Sequence, residues 1–316
     1  MTDKIGFLFP GQGAQFPGMG CDFYESYPEA KEIFDTAGKV FGAGFIDIIF
    51  NGPEEKLQLT EYTQPAILTV STAIYRVLQK LGYKAEGMAG LSLGEYSALV
   101  AAEAMLFEEA LPLVQKRGLF MQEAVPVGQG KMMALMGLSH NEVEKICCEA
   151  SSKGLVTAAN YNCPGQIVIS GTVEAVDYAA EIARETGAKK LSELKVSAPF
   201  HCKLLEPVES KLSAEIDRIK INEPAVPVVF NITAGFEEDP GRIKENLIRQ
   251  VSSPILWEQS VRKMIDFGIN NFICVGPGSS LSRLMKRIAP HLNTYSVETV
   301  EAVSKESTLR TSLLTY

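Results

Sequence analysis

Two periods of hydrophobicity interleave along the chain. Short apolar runs bounded by Gly and Pro alternate with longer stretches in which apolar residues return at helical spacing. The runs read as strands buried on both faces, and the longer stretches as amphipathic helices. KIGFLF (4–9) predicts a first strand, closed by Pro10-Gly11. QPAILTVSTAIYRVLQKL (64–81) predicts a helix with Pro65 in its first turn, where no N–H is needed. GMAGL (87–91) predicts a short buried strand, LGEYSALVAAEAM (93–105) a helix, and FEEALPLVQKRGLFMQEA (107–124) another, bent near Pro112.

The texture then changes. GKMMALMGL predicts a strand, SHNEVEKICCEASS a helix, LVTAANYN and QIVISG two strands, TVEAVDYAAEIARETG a helix and AKKLSELKV a strand. This is the order β-α-β-β-α-β of a ferredoxin-like unit. VPVGQG before it and SAPF after it read as hinges. Beyond them come a helix from about 200, a strand VPVVFNIT (226–233), helices near 241–250 and 256–267, a strand NFICV (271–275) and a helix from 279. The polar tail from Ser304 reads as loosely docked.

Length supports two units. At 316 residues the chain exceeds one ordinary core. The expected division is a large domain, 1–129 and 197–316, interrupted by a small domain, 130–196. A net charge of -8 argues against a nucleic-acid partner. The first apolar run, Ile5 to Phe9, is too short for a signal-peptide core, and no run has membrane-spanning length. A cytoplasmic monomer with no membrane partner is the expectation. The six cysteines have neither C-x-x-C spacing nor enough histidines for a zinc site, so no metal is expected.

Ala89–Tyr96 reads AGLSLGEY and contains Gly-x-Ser-x-Gly. Between a strand and a helix, this pattern puts a serine on a sharp turn with its hydroxyl exposed. Ser92 is therefore a candidate nucleophile, with helix capping as the alternative. The expected fold is α/β: a large α/β-hydrolase-like domain with a mostly parallel sheet, plus an inserted small ferredoxin-like domain. A serine nucleophile needs a base, and the chain has three histidines. His140 opens a helix of the small unit and reads as surface. His291 holds the late chain position of a hydrolase base, and His201 follows the small unit where it could line a cleft. Periodicity does not choose between these two. FPGQGAQFPGMG (9–20) lacks the third glycine of a dinucleotide loop. Its Gly11-Gln12-Gly13 could instead turn backbone N–H groups toward an oxyanion.

Taken together, FPGQGAQ, GLSLGEYSALVAA, VQKRGLFMQEA, AANYNCPGQIVISG, APFH, RQVSSPILWEQSV and VGPGSSLSRLMKRI resemble the malonyl-CoA:acyl-carrier-protein transacylases of fatty-acid synthesis. They occur in family order across nearly the whole chain. The resemblance implies ping-pong transfer of malonyl from coenzyme A to the pantetheine thiol of an acyl carrier protein, with no cofactor. Ser92 would be the nucleophile and His201 the base, oriented by the main-chain carbonyl of Gln250. Backbone N–H groups of Gln12 and Leu93 would form the oxyanion hole. Arg117, which alone reads as part of a solvated helix face, would grip the free malonyl carboxylate. Asn160 and Asn162 would line the cleft, or simply form a polar turn. Phe200 would disfavour branched acyl groups, a filter worth about 1–3 kcal/mol. Leu91 stands where many members carry histidine. Arg283, Lys286, Arg287, Lys189 and Lys190 are candidate contacts for an acidic carrier. The alternative from a different class is a serine hydrolase or thioesterase using Ser92 and His291.

Overall fold

The computed structural model describes residues 4–126, 128–194, 196 and 198–303. The tail from Ser304, and Val127, Lys195 and Ser197 at the two hinges, lie outside the described residues.

Five strands form one sheet: β1 (Ile5–Phe9), β2 (Gly87–Gly90), β7 (Val228–Val229), β8 (Asn271–Val275) and β9 (Asn293–Val297). Their order is β7-β2-β1-β8-β9, and every neighbouring pair is parallel. The central strands are fully buried because helices cover both faces. The cores on either face centre on Phe7 and Phe9 with the helix Thr60–Lys80, and on Leu8 with the helices Trp257–Asp266 and Ser280–Ile288. β1 lies between β2 and β8, so successive crossovers leave it on opposite sides. The carboxyl end of β1 therefore borders the topological switch point between β1 and β8, the kind of place where open α/β sheets bind ligands.

A second sheet holds β3 (Gly130–Met136), β4 (Val156–Cys163), β5 (Gln166–Thr172) and β6 (Lys190–Glu193) in the antiparallel order β4-β5-β3-β6. The helices His140–Ala150 and Val173–Glu185 pack on it around their own apolar cluster. Ser139 caps the first through a capping box with Glu142. Asn160 of β4 forms a short parallel bridge with Ile255, in the segment just before the helix Trp257–Asp266.

Several elements differ from the pattern reading. The helix expected at 64–81 begins at Thr60, so Pro65 lies inside it rather than in its first turn. The helix expected at 93–105 spans only Gly94–Ala101, and the chain turns at Glu103 with φ 61°. The helix expected from about 200 starts as a 3₁₀ turn, Lys203–Leu205, and continues as Glu206–Ile216. VPVVFNIT pairs only through Val228–Val229, because Phe230 donates to the Gly235 carbonyl and the chain doubles back. The helices Cys21–Ser26, Pro28–Phe41, Ala43–Asn51 and Glu54–Leu57, and strand β9, add to the expected set. β9 is a half-exposed edge without a continuous apolar run, so periodicity gives little sign of it.

Candidate active site

The elbow is set by close backbone contacts. A Cβ on Gly90 would collide with the main chain of Gly94, and one on Gly94 with the carbonyl of Phe9. Both glycines of Gly-x-Ser-x-Gly are thus needed for the helix Gly94–Ala101 to start directly above β2. Ser92 itself has φ 53°, a left-handed conformation that lifts its hydroxyl clear of the sheet. A Cβ on Gly11 would strike the Leu91 carbonyl, so the Gly11–Gly13 turn after β1 lies hard against the elbow.

The structure brings His201, and not His291, to Ser92. His201 Nε2 is 2.7 Å from Ser92 Oγ, across 109 residues of chain, whereas His291 is exposed after the helix Ser280–Ile288. His201 Nδ1 lies 2.8 Å from the Gln250 carbonyl. A carbonyl can only accept, so Nδ1 carries the proton and Nε2 is free to take one from Ser92. His140 packs edge-on against Tyr161 of β4, and its Nε2 lies 3.5 Å from Glu258.

Arg117 is 1% exposed, which overturns the solvated-face reading of its helix position. Its Nη1 donates to Gln64 Oε1 at 2.9 Å, and its Nη2 to Gln250 Oε1 at 2.9 Å and to Ser92 Oγ at 3.4 Å. The guanidinium also stacks 5.4 Å from the Tyr96 ring centroid. All these partners are neutral, so a cation is held ready beside the nucleophile.

A cleft of about 450 Å³ opens above these groups. Gln12, Leu93, Arg117, Asn160, Asn162, Phe200 and His201 all line it, as does Leu91. The main-chain N–H groups of Gln12 and Leu93 have no acceptor among the described residues. Asn162 Oδ1 is buried and lacks a hydrogen-bond partner, and the Gln12 side chain turns away to Thr60 Oγ1 at 3.2 Å.

The sequence profile of the acyl transferase domain family matches residues 6–312. The malonyl CoA-acyl carrier protein transacylase of Bacillus subtilis is 45% identical over 301 residues, covering 95% of each chain. The crystal structure of the malonyl CoA-acyl carrier protein transacylase of Clostridium perfringens superposes with TM-score 0.95 at 43% identity, covering 98% of both chains. A malonyl-transacylase solved in complex with a type II PKS acyl-carrier protein superposes with TM-score 0.93 at 38% identity, over 96% of this chain and 98% of that one. The chain belongs to the malonyl CoA-acyl carrier protein transacylase family.

Within this transacylase architecture, burial sets the proton affinities. It pushes the His201 imidazole down to about 3, helped by the nearby Arg117 charge and opposed by the Gln250 carbonyl. It also lowers Arg117 below the usual arginine range, raises the Tyr96 hydroxyl to about 12, and raises the Glu95 carboxyl to about 8. His201 is therefore neutral, as a base must be, over the whole ordinary pH range. One expected outcome follows for the acid side. A histidine of ordinary pKa would be half protonated near pH 6.5. Here kcat/KM for enzyme acylation, which reports the free enzyme, should stay level down to about pH 5 and fall only toward about pH 3. A pH–rate profile with a midpoint near 6.5 would contradict this.

Gln64, Glu95 and Asn231 at this centre were not singled out from the sequence. Glu95 sits in the first turn of its helix and reads there as an exposed dipole partner, yet it is 1% exposed. Of the candidate basic contacts, Arg287 donates to Pro164 O at 2.7 Å and Gln166 Oε1 at 2.9 Å, and Arg283 to Ser279 Oγ at 2.6 Å. Arg287 thus ties the late helix to the β4–β5 turn, while Lys286, Lys189 and Lys190 are exposed.

Proposed function

We propose that this chain transfers a malonyl group from malonyl-CoA to the phosphopantetheine thiol of an acyl carrier protein, through a malonyl-Ser92 intermediate. The carrying observation is the buried Arg117 guanidinium 3.4 Å from Ser92 Oγ. An acyl group bearing a free carboxylate can pair there while its thioester carbonyl meets the nucleophile.

Ser92 Oγ attacks the thioester carbonyl as its proton passes to His201 Nε2. The N–H groups of Gln12 and Leu93 receive the oxyanion. Collapse expels the coenzyme A sulfur, which takes the proton from Nε2. The carrier thiol then enters, gives its proton to Nε2 and attacks the malonyl ester, and Ser92 recovers its hydrogen. Because a neutral carbonyl stands behind His201, the imidazolium is oriented but stabilised less than by a triad carboxylate. No step requires a cofactor. Asn160 and Asn162, which line the cleft, are read as polar substrate contacts, and Phe200 as a ring that would crowd a branched acyl group. No helix among the described residues is long and apolar enough to cross a membrane, and we read the enzyme as acting in the cytoplasm.

Incubation with malonyl-CoA, with and without carrier protein, followed by intact mass of both proteins, tests this reading. The enzyme should gain one malonyl group and lose it to the carrier. Failure of the enzyme to load would defeat it. For docking, Lys286→Glu with Lys189→Glu should slow discharge to the carrier by about 3–10-fold at low salt, as rim charges do. Loading from malonyl-CoA should be unchanged, and equal slowing of both half-reactions would remove these lysines from the carrier surface.

A further inference from the structure

Asn231 follows the two-residue strand β7 and is completely buried. All four of its hydrogen-bonding groups are engaged around the nucleophile. Its Oδ1 accepts from the Ser92 N–H at 2.6 Å, across 139 residues, and its Nδ2 donates to the Gly90 carbonyl at 2.7 Å. One carboxamide therefore spans the elbow from the residue two before the nucleophile to the nucleophile itself. Its own N–H donates to Glu95 Oε2 at 2.6 Å, and its carbonyl accepts from the Leu256 N–H at 2.9 Å. The adjoining Ile255 pairs with Ala159 and Tyr161 on either side of Asn160, in the opposite wall of the cleft.

Resting on the transacylase reading, we propose that Asn231, anchored by Glu95, is the positioning residue that holds the Ser92 elbow in its attacking conformation. Three physical points support it. Ser92 is held at a φ that a side chain seldom adopts, and such a conformation persists only where its surroundings over-determine it. Gln250 Nε2 donates to the Ser92 carbonyl at 3.1 Å, so both peptide groups of Ser92 are fixed by side chains remote in sequence. The Ser92 N–H, engaged by Asn231, is withdrawn from the oxyanion, which leaves that task to Leu93 and Gln12. Glu95 fits the anchoring role in either protonation state, since its oxygen accepts the Asn231 N–H in both.

The test uses malonyl loading kinetics of the full chain, normalised to active sites by burst amplitude. Asn231→Ala should lower kcat by about 10²-fold, the cost of a misplacement near 1 Å, while KM changes by less than about threefold because the Arg117 contacts remain. Glu95→Gln keeps an acceptor for the Asn231 N–H and should stay within about threefold of wild type, whereas Glu95→Ala should fall by about tenfold or more. A folded Asn231→Ala with wild-type kcat overturns the proposal. Should that variant fail to fold, the Glu95 pair decides: equal kcat in Glu95→Ala and Glu95→Gln overturns it. Loss of active fraction alone, with unchanged kcat per active site, is the signature of a merely structural role and also overturns it. Wild-type enzyme that never loads malonyl would instead defeat the transacylase reading.

Discussion

Replacing Ser92 with Ala is expected to abolish the malonyl-enzyme adduct, read by intact mass after incubation with malonyl-CoA. The expectation rests on geometry. Ser92 is the hydroxyl within 2.7 Å of the His201 base, at a φ of 53° above the carboxyl end of β2. Persistence of the adduct would move the nucleophile elsewhere. The thiol next to the base in sequence, Cys202, is buried, donates to the Pro199 carbonyl, and has its pKa raised by burial. The base gives the companion result. His201→Ala should slow loading by about 10²–10⁴-fold, the usual contribution of general base catalysis. His291→Ala should leave loading at the wild-type rate, because that ring is exposed and takes no part in the Ser92–His201–Gln250 chain of hydrogen bonds. Loss of activity with His291→Ala alone would restore the hydrolase alternative.

Arg117→Met should separate function from stability. The side chain is buried, and its Gln64, Gln250 and Ser92 partners are all neutral. Malonate would supply the missing negative charge. Removing the guanidinium strands that charge, a loss of about 3–5 kcal/mol for a buried pair, so kcat/KM for malonyl-CoA should fall by about 10²–10⁴-fold. The acetyl group of acetyl-CoA has no carboxylate to strand, and the preference should shift toward it. Stability should move the other way or not at all, because a buried cation carries a desolvation cost that a similar-sized apolar chain avoids. The checks are steady-state kinetics with both thioesters and the thermal midpoint of each protein. An unchanged malonyl preference would remove Arg117 from acyl recognition.

Some of this was readable because its cause is local. The β1 run and the 3.6-residue period of the helix Phe107–Ala124 place the central strand and the arginine-bearing helix. The elbow is local in part: Gly90 is required by contact with the Gly94 main chain a few residues on, whereas Gly94 is required by the carbonyl of Phe9 on the neighbouring strand. The order of strands and helices from Gly130 to Glu193 likewise carries the antiparallel unit in its periodicity. Pro65 was misplaced for an equally plain reason. Local propensity favours proline in a first turn, while packing of the largely buried helix Thr60–Lys80 extends that helix past the preference.

The sequence by itself determined the strand–turn–helix around Ser92, the two kinds of sheet and, through family motifs, a short set of reacting groups. Only the tertiary structure decided which histidine meets Ser92, that Lys116 is salt-bridged to Glu215 while its neighbour Arg117 is sealed inside, and that Glu95 is buried. It alone brought Asn231 to the elbow. These decisions depend on contacts across 109, 99 and 139 residues of chain. Periodicity extends over a few turns of backbone, whereas burial and charge pairing follow from which elements meet in space.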